Sequence, residues 1–238
     1  MSEHQPFAGL TGKGVRVAVI DSGVHAMHPH IVGVAGGVTI AHEPDEKNYV
    51  DVIGHGTAVM AAIKEKAPDA EYFAVRVFCS SLRTTVDLLV RAIEWSMAHR
   101  IDVINLSLGT TNPAHRDRFV PVIARALEKG LILVSARDAD GTTALPGSLP
   151  GVIGVSLDWD CPRELYYCQA TIDGVALTAS GYPRSLPGVP PARNLHGISF
   201  AVANATGFVV RACEGLANRS YEDVCAAMAA NASVSPAA

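Results

Sequence analysis

From Ser199 to Val210 the only polar side chains are Ser199, Asn204 and Thr206, and a helix that is apolar nearly all round must be enclosed by other elements. A chain containing it needs a core on every side of that helix. Its start is nonetheless polar. His196-Gly197-Ile198-Ser199 sets a serine at a helix N-terminus, where unpaired backbone N–H groups and the helix dipole favour negative charge on a neighbouring oxygen. That placement suits a nucleophile, and it equally suits a serine that caps a core helix.

The rest of the chain supplies the enclosure. Val15-Arg16-Val17-Ala18-Val19-Ile20 is a short, β-branched apolar run that stops at Asp21-Ser22-Gly23, as a buried parallel strand ending in a turn would. Gly54-His55-Gly56-Thr57 opens a short apolar helix that Lys64 to Pro68 closes, with the histidine at its first turn. Strands are expected at Tyr72–Phe78, Ile101–Leu106, Leu131–Ala136 and Val152–Val155. Helices are expected from Val86 to Arg100 and, started by Asn112-Pro113, from Phe119 to the stop at Gly130. Strands alternating with helices predict an α/β fold: a parallel twisted sheet with right-handed crossovers and helices on both faces, in three layers. Functional groups in such sheets gather at the carboxyl ends of the strands, and Asp21, Ser107 and Asp138 are placed there. The stretch from Asp158 to Arg193 is interrupted by prolines and reads as loop or edge hairpin. Tyr221 to Ala230 reads as a helix followed by a frayed tail.

At 238 residues, 49% hydrophobic and 18% charged, the chain can form one substantial core, so residues 1–238 are read as a single domain. A net charge of -4 gives no footprint for nucleic acid, and no apolar run reaches the roughly 18 residues of a membrane span. The N-terminus lacks a basic and then apolar signal, which predicts a cytoplasmic protein. The five cysteines, Cys79, Cys161, Cys168, Cys213 and Cys225, have no C-x-x-C spacing and fit reduced thiols, with a Cys161–Cys168 pair left open. His25, His28 and His30 invite a metal reading, but Pro29 interrupts them and no helical or cysteine-paired ligand frame accompanies them, so no metal is expected.

An aspartate after a strand, a histidine opening a helix and a serine opening a buried helix, in the order Asp21, His55, Ser199, follow the chain order of the subtilisin arrangement of the Asp-His-Ser triad. The chain resembles the subtilisin-like serine proteases over nearly its whole length. Val19-Ile20-Asp21-Ser22-Gly23, Gly54-His55-Gly56-Thr57, Ser107-Leu108-Gly109 and Gly197-Ile198-Ser199-Phe200-Ala201 carry the likeness. The resemblance implies an endopeptidase that needs no cofactor and acts on peptides or proteins. In it Ser199 attacks the carbonyl, His55 moves the proton and Asp21 orients the imidazole. It also implies that Ser107, Leu108 and Gly109 pair with extended substrate, with Ala136 on the substrate pocket wall.

The departures are as informative. Where the family has an asparagine that helps bind the oxyanion beside the serine N–H, this chain has Asp138, whose protonated form alone could donate. His28-Pro29-His30 replaces the family's His-Pro-Asp, whose aspartate ligates calcium, and the ligand-bearing loop after the His55 helix is missing. The six residues ahead of Phe7 are not expected to act as the folding prodomain of the family's secreted members. The leading expectation is therefore a compact intracellular endopeptidase that trims a precursor or leader peptide. The alternatives are a peptide-binding pseudoprotease disabled at Asp138, and a transpeptidase or macrocyclase using the same acyl-enzyme.

Overall fold

A computed structural model describes residues 5–41, 45, 48–78 and 81–234. In chain order the elements are β1 (Arg16–Asp21), β2 (Gly36–Thr39), α1 (His55–Lys66), β3 (Glu71–Arg76), α2 (Val86–Ala98), β4 (Val103–Leu106), α3 (Arg116–Glu128) and β5 (Ile132–Ala136). There follow β6 (Asp138–Ala139), β7 (Thr142–Thr143), β8 (Val152–Asp158), β9 (Tyr167–Thr171), β10 (Gly174–Ser180), α4 (Ile198–Gly215) and α5 (Tyr221–Ala230).

Eight strands form one sheet in the order β2-β3-β1-β4-β5-β8-β10-β9, and β6 pairs with β7 in a separate ribbon. Every pairing in the large sheet is parallel except that of β9 with β10. Along β1, β3 and β5 alternate residues enter different cores, as the two-residue period of a strand requires. In β1, Val17 and Val19 join α1, α4 and α5 on one face, whereas Ala18 and Ile20 join α2 and α3 on the other. The expected three-layer α/β architecture is the one found.

Three parts of the fold differ from expectation. β2 lies in a stretch with no strand signal. Its pairing with β3, Gly37 opposite Ala74 and Val38 opposite Val75, supplies the order that its own residues do not. The proline-interrupted region does contain a hairpin, but β10 is an interior strand that runs parallel to β8, and only β9 lies at the edge. The tail after α5 is not frayed through Val234. The Ser233 N–H donates to the Tyr166 carbonyl at 3.1 Å, bridging the tail to the start of β9. Cys161 and Cys168 are unpaired, as are Cys213 and Cys225; Cys79 and the last four residues of the tail lie outside the described residues.

The helix that is apolar all round, α4, sits in the middle of the first core. Phe200 to Val210 are all buried, in contact with α1, α5 and the strands β4, β5, β8 and β10. Two polar side chains inside it donate to groups around it. The Asn204 amide donates to the carbonyls of Ser180 at 2.8 Å and Tyr182 at 2.9 Å, and the Thr206 hydroxyl donates to Asn105 Oδ1 at 3.0 Å.

Candidate active site

Asp21 is the last residue of β1 and is fully buried. A buried carboxyl group needs hydrogen-bond partners, and Asp21 has several. Oδ1 accepts from the Ser22 N–H at 2.7 Å and contacts His55 Nδ1 at 2.8 Å. Oδ2 accepts from the Ser107 hydroxyl at 3.0 Å.

His55 is the first residue of α1. Gly56 lets the helix approach that closely, since a Cβ there would stand 2.3 Å from the Gly23 carbonyl oxygen and 3.1 Å from the Asp21 Cβ. With a carboxylate on Nδ1, the neutral imidazole carries its proton on Nδ1 and leaves Nε2 as the base. Burial of the ring disfavours its charged form, but the hydrogen bond and charge of Asp21, with the charge of Asp51, outweigh burial. The pKa of His55 therefore lies above that of an ordinary histidine.

Ser199 is the second residue of α4, after an N-cap at Gly197 that offers no side chain. The first N–H groups of a helix have no partner within it, so the Ser199 N–H is left as a donor at the start of α4. The Ser199 hydroxyl donates to the Ser107 carbonyl at 3.2 Å. The ring of Phe200, the next residue, lies 5.8 Å from that of His55. Ser107 is thus the joint of the site, with its hydroxyl on Asp21 and its carbonyl on Ser199.

The segment expected to take substrate leaves β4 directly. Ser107 is buried, Leu108 half-buried and Gly109 exposed, and beyond them Thr110 and Leu145 exchange backbone hydrogen bonds at 2.9 and 2.8 Å. Ala136 is buried at the end of β5. Asp138, in β6, is half-buried, and its Oδ2 accepts from the Ser156 hydroxyl of β8 at 2.5 Å. His28 and His30 pack edge to face, with the His30 N–H donating to His28 Nδ1 at 3.2 Å. Among the described residues no three metal-ligating side chains are grouped to hold an ion.

Sequence reasoning missed Asp51, Ser22 and Ser156. Ser22 and Asp51 are buried beside Asp21 and His55. The signal that could have pointed to Asp51 is a helix opening on Gly54, which has no side chain with which to cap itself.

A sheet with an imidazole on a buried carboxylate, and with a serine at a helix start nearby, has the parts that serine-nucleophile hydrolases assemble. The sequence model of the Subtilase family matches residues 12–164, and the chain belongs to that family. The matched span includes Asp21 and His55 and stops short of Ser199. Among curated proteins, the Minor extracellular protease Epr of Bacillus subtilis is 33% identical over 73% of this chain and 28% of its own length. Subtilisin E of the same species is 34% identical over 62% and 42%. M-protease of Shouchella clausii is 29% identical over 88% and 54%. The chain thus spans about half or less of these relatives. Among solved structures, a cold adapted subtilisin-like serine proteinase superposes with a TM-score of 0.72 at 20% identity, covering 94% of this chain and 84% of its own. Sphericase superposes with a TM-score of 0.72 at 21% identity over 92% and 83%. The fold is subtilisin-like.

Proposed function

We propose that the chain is a serine endopeptidase that cleaves peptide bonds through an acyl-enzyme on Ser199. The observation that carries this reading is the convergence at Ser107, which accepts from the Ser199 hydroxyl and donates to the carboxylate that holds His55. To react, the Ser199 hydroxyl swings from the Ser107 carbonyl toward His55 Nε2, which takes its proton as Oγ bonds to the substrate carbonyl carbon. The oxyanion that forms is met by the Ser199 N–H at the positive end of α4. Collapse expels the leaving amine with the proton from His55, and water then repeats the sequence to release the acid. Throughout, Asp21 keeps the imidazole in one tautomer and stabilises the imidazolium. Leu108 and Gly109, which no backbone hydrogen bond engages among the described residues, offer their N–H and C=O groups to an extended peptide as an added strand.

Labelling with a fluorophosphonate and hydrolysis of a fluorogenic peptide test the reading. Both are expected in the native chain. Both should vanish in Ser199→Ala and be lost to a trace in His55→Ala, with circular dichroism unchanged, because the two residues act as one unit. Activity in Ser199→Ala above a trace would remove this serine from the role.

The finer parts of the reading are a cytoplasmic setting and a precursor or leader peptide as substrate. Free thiols at Cys161, Cys168, Cys213 and Cys225 support the setting, because such thiols persist where glutathione keeps them reduced. No described helix is long and apolar enough to cross a membrane. Cell fractionation with an antibody to the chain tests the setting, and recovery of the protein from the medium alone would reverse it. Product mass on candidate precursors tests the substrate, and a cyclised or ligated product in place of two fragments would favour transpeptidation.

A further inference from the structure

Asp51 precedes His55 by one helical turn of sequence and is buried, yet no step above uses it. Its Oδ1 accepts from the Ser22 hydroxyl at 2.9 Å and from the N–H groups of Ile53 at 2.9 Å and Gly54 at 2.8 Å. Its Oδ2 accepts from the Thr57 N–H at 2.9 Å and the Thr57 hydroxyl at 2.7 Å. The first turn of α1 is capped from outside, since Gly54 at the N-cap makes no side-chain bond and Asp51 takes the N–H of the third helical residue instead.

Ser22 is the other half of the connection. Its hydroxyl donates to Asp51 while accepting from the Gly56 N–H at 2.8 Å, and its own N–H donates to Asp21 Oδ1. One carboxylate therefore ties the strand end that carries Asp21 to the helix start that carries His55. Burial pushes the Asp51 carboxyl up, but the bonds from Thr57 and from the Gly54 and Ile53 N–H groups more than offset it. The group is held below the usual carboxylate range and stays ionised.

We propose that Asp51 is a positioning residue for the catalytic base. Through Ser22 and the first turn of α1 it fixes His55 against Asp21, and it supplies a second fixed negative charge that favours the imidazolium formed in acyl transfer. The proposal rests on His55 acting as that base. The charges acting on His55 are those of Asp21 and Asp51, both of which raise its pKa against burial. A cavity of about 300 Å³ adjoins Asp51, with His25, His28, His30 and Arg184 in its walls. Arg184 has Glu65 at 3.9 Å. These groups are the same in every variant and so do not separate the outcomes below.

The test combines an NMR titration of the His55 imidazole with the pH profile of kcat/KM. His55 must be neutral to act, so the rate falls as pH drops through its pKa. In the native chain this acid limb should lie above the ordinary histidine value of about 6.5. Asp51→Asn removes the charge and turns an amide N–H2 toward groups that are all donors. It should move the His55 midpoint and the acid limb together to lower pH, and lower kcat by about tenfold or more with KM within about twofold, as loss of an aligned base does. Ser22→Ala keeps the charge and breaks the tie, so kcat should fall while the midpoint stays near the native one.

An Asp51→Asn chain that melts earlier, yet titrates His55 at the native pH and keeps the native profile, would reduce Asp51 to a structural cap and overturn the proposal. If Asp51→Asn does not fold, Asp51→Glu, which retains the charge one methylene away, should keep the midpoint and lose kcat; native kcat there would also overturn it. Should the native chain hydrolyse no peptide, the proteolytic reading fails, while the His55 titration still decides whether Asp51 sets the basicity of that ring.

Discussion

One carboxylate oxygen of Asp138 is taken by the Ser156 hydroxyl, which leaves Oδ1 as the atom that would face a substrate oxyanion if this residue stands where the resemblance puts it. An ionised carboxylate offers only acceptors, so at that position it repels the developing charge. In Asp138→Asn, Ser156 can go on donating to the amide oxygen, and that bond turns the amide N–H2 to the place Oδ1 held. A single oxyanion donor is worth about 10²–10³ in kcat. The gain here should be smaller than the full effect, because in the proposed mechanism the Ser199 N–H at the start of α4 also serves the oxyanion and the new amide is not pre-aligned. We therefore expect kcat on a fluorogenic peptide to rise at least about tenfold at mildly alkaline pH, ~1.4 kcal/mol off the barrier. Rates should be normalised to active sites titrated with a fluorophosphonate, so that a change in folded fraction is not mistaken for chemistry. Ser156→Ala added to Asp138→Asn frees the amide to rotate and should return part of the gain. If Asp138→Asn folds, titrates fully and is no faster than the native chain, Asp138 does not face the oxyanion. Its bond to Ser156 then serves to hold the β6 ribbon on β8, and the pseudoprotease reading loses its basis.

Two further outcomes test the packing around the site. Adding EDTA should shift the melting temperature by less than about 2 °C, because no bound ion is expected to stabilise the native state by mass action. A fall of about 10 °C or more, several times what ~1 kcal/mol does in a domain of this size, would reveal a structural metal. Gly207→Ala places a Cβ 2.8 Å from Cβ and Cδ of Lys66 on α1, so the two helices that carry His55 and Ser199 must part. Overpacking of this kind costs about 1–3 kcal/mol, which should lower the melting temperature by roughly 2–12 °C. An unchanged melting curve would mean that α1 shifts at no cost.

What was legible in the sequence follows from which signals are local. Asp21, His55 and Ser199 each stand at the end or start of an element whose period declares itself over a few residues. The rule that gathers function at the carboxyl ends of parallel strands does the rest. β2 was not legible because Gly36 and Gly37 have no strand preference, and their order comes from β3. The interior place of β10 was hidden because its pairing with β8 joins residues about twenty apart across an irregular stretch that includes Pro162. Asp51 was invisible for a different reason. It stands between Val50 and Val52 in a stretch with no motif of its own, and the convergence of Ser22, Ile53, Gly54 and Thr57 on its oxygens is what marks it as buried and charged.

The apolar character of α4 bears directly on the chemistry at its first turn. A nucleophile misplaced by about 1 Å can cost on the order of 10²-fold in rate, so a serine at a helix start is useful only if the helix cannot slide or roll. A helix with one apolar stripe can do both, because its other face meets water. α4 is buried from Phe200 to Val210, and movement along its axis would draw Asn204 from the Ser180 and Tyr182 carbonyls and Thr206 from Asn105, leaving buried polar groups unpaired. The polar residues inside the apolar segment therefore fix its position, and the apolar residues make leaving that position costly. Ser107, at the end of β4 beneath the same helix, then receives the Ser199 hydroxyl at a place set by the sheet.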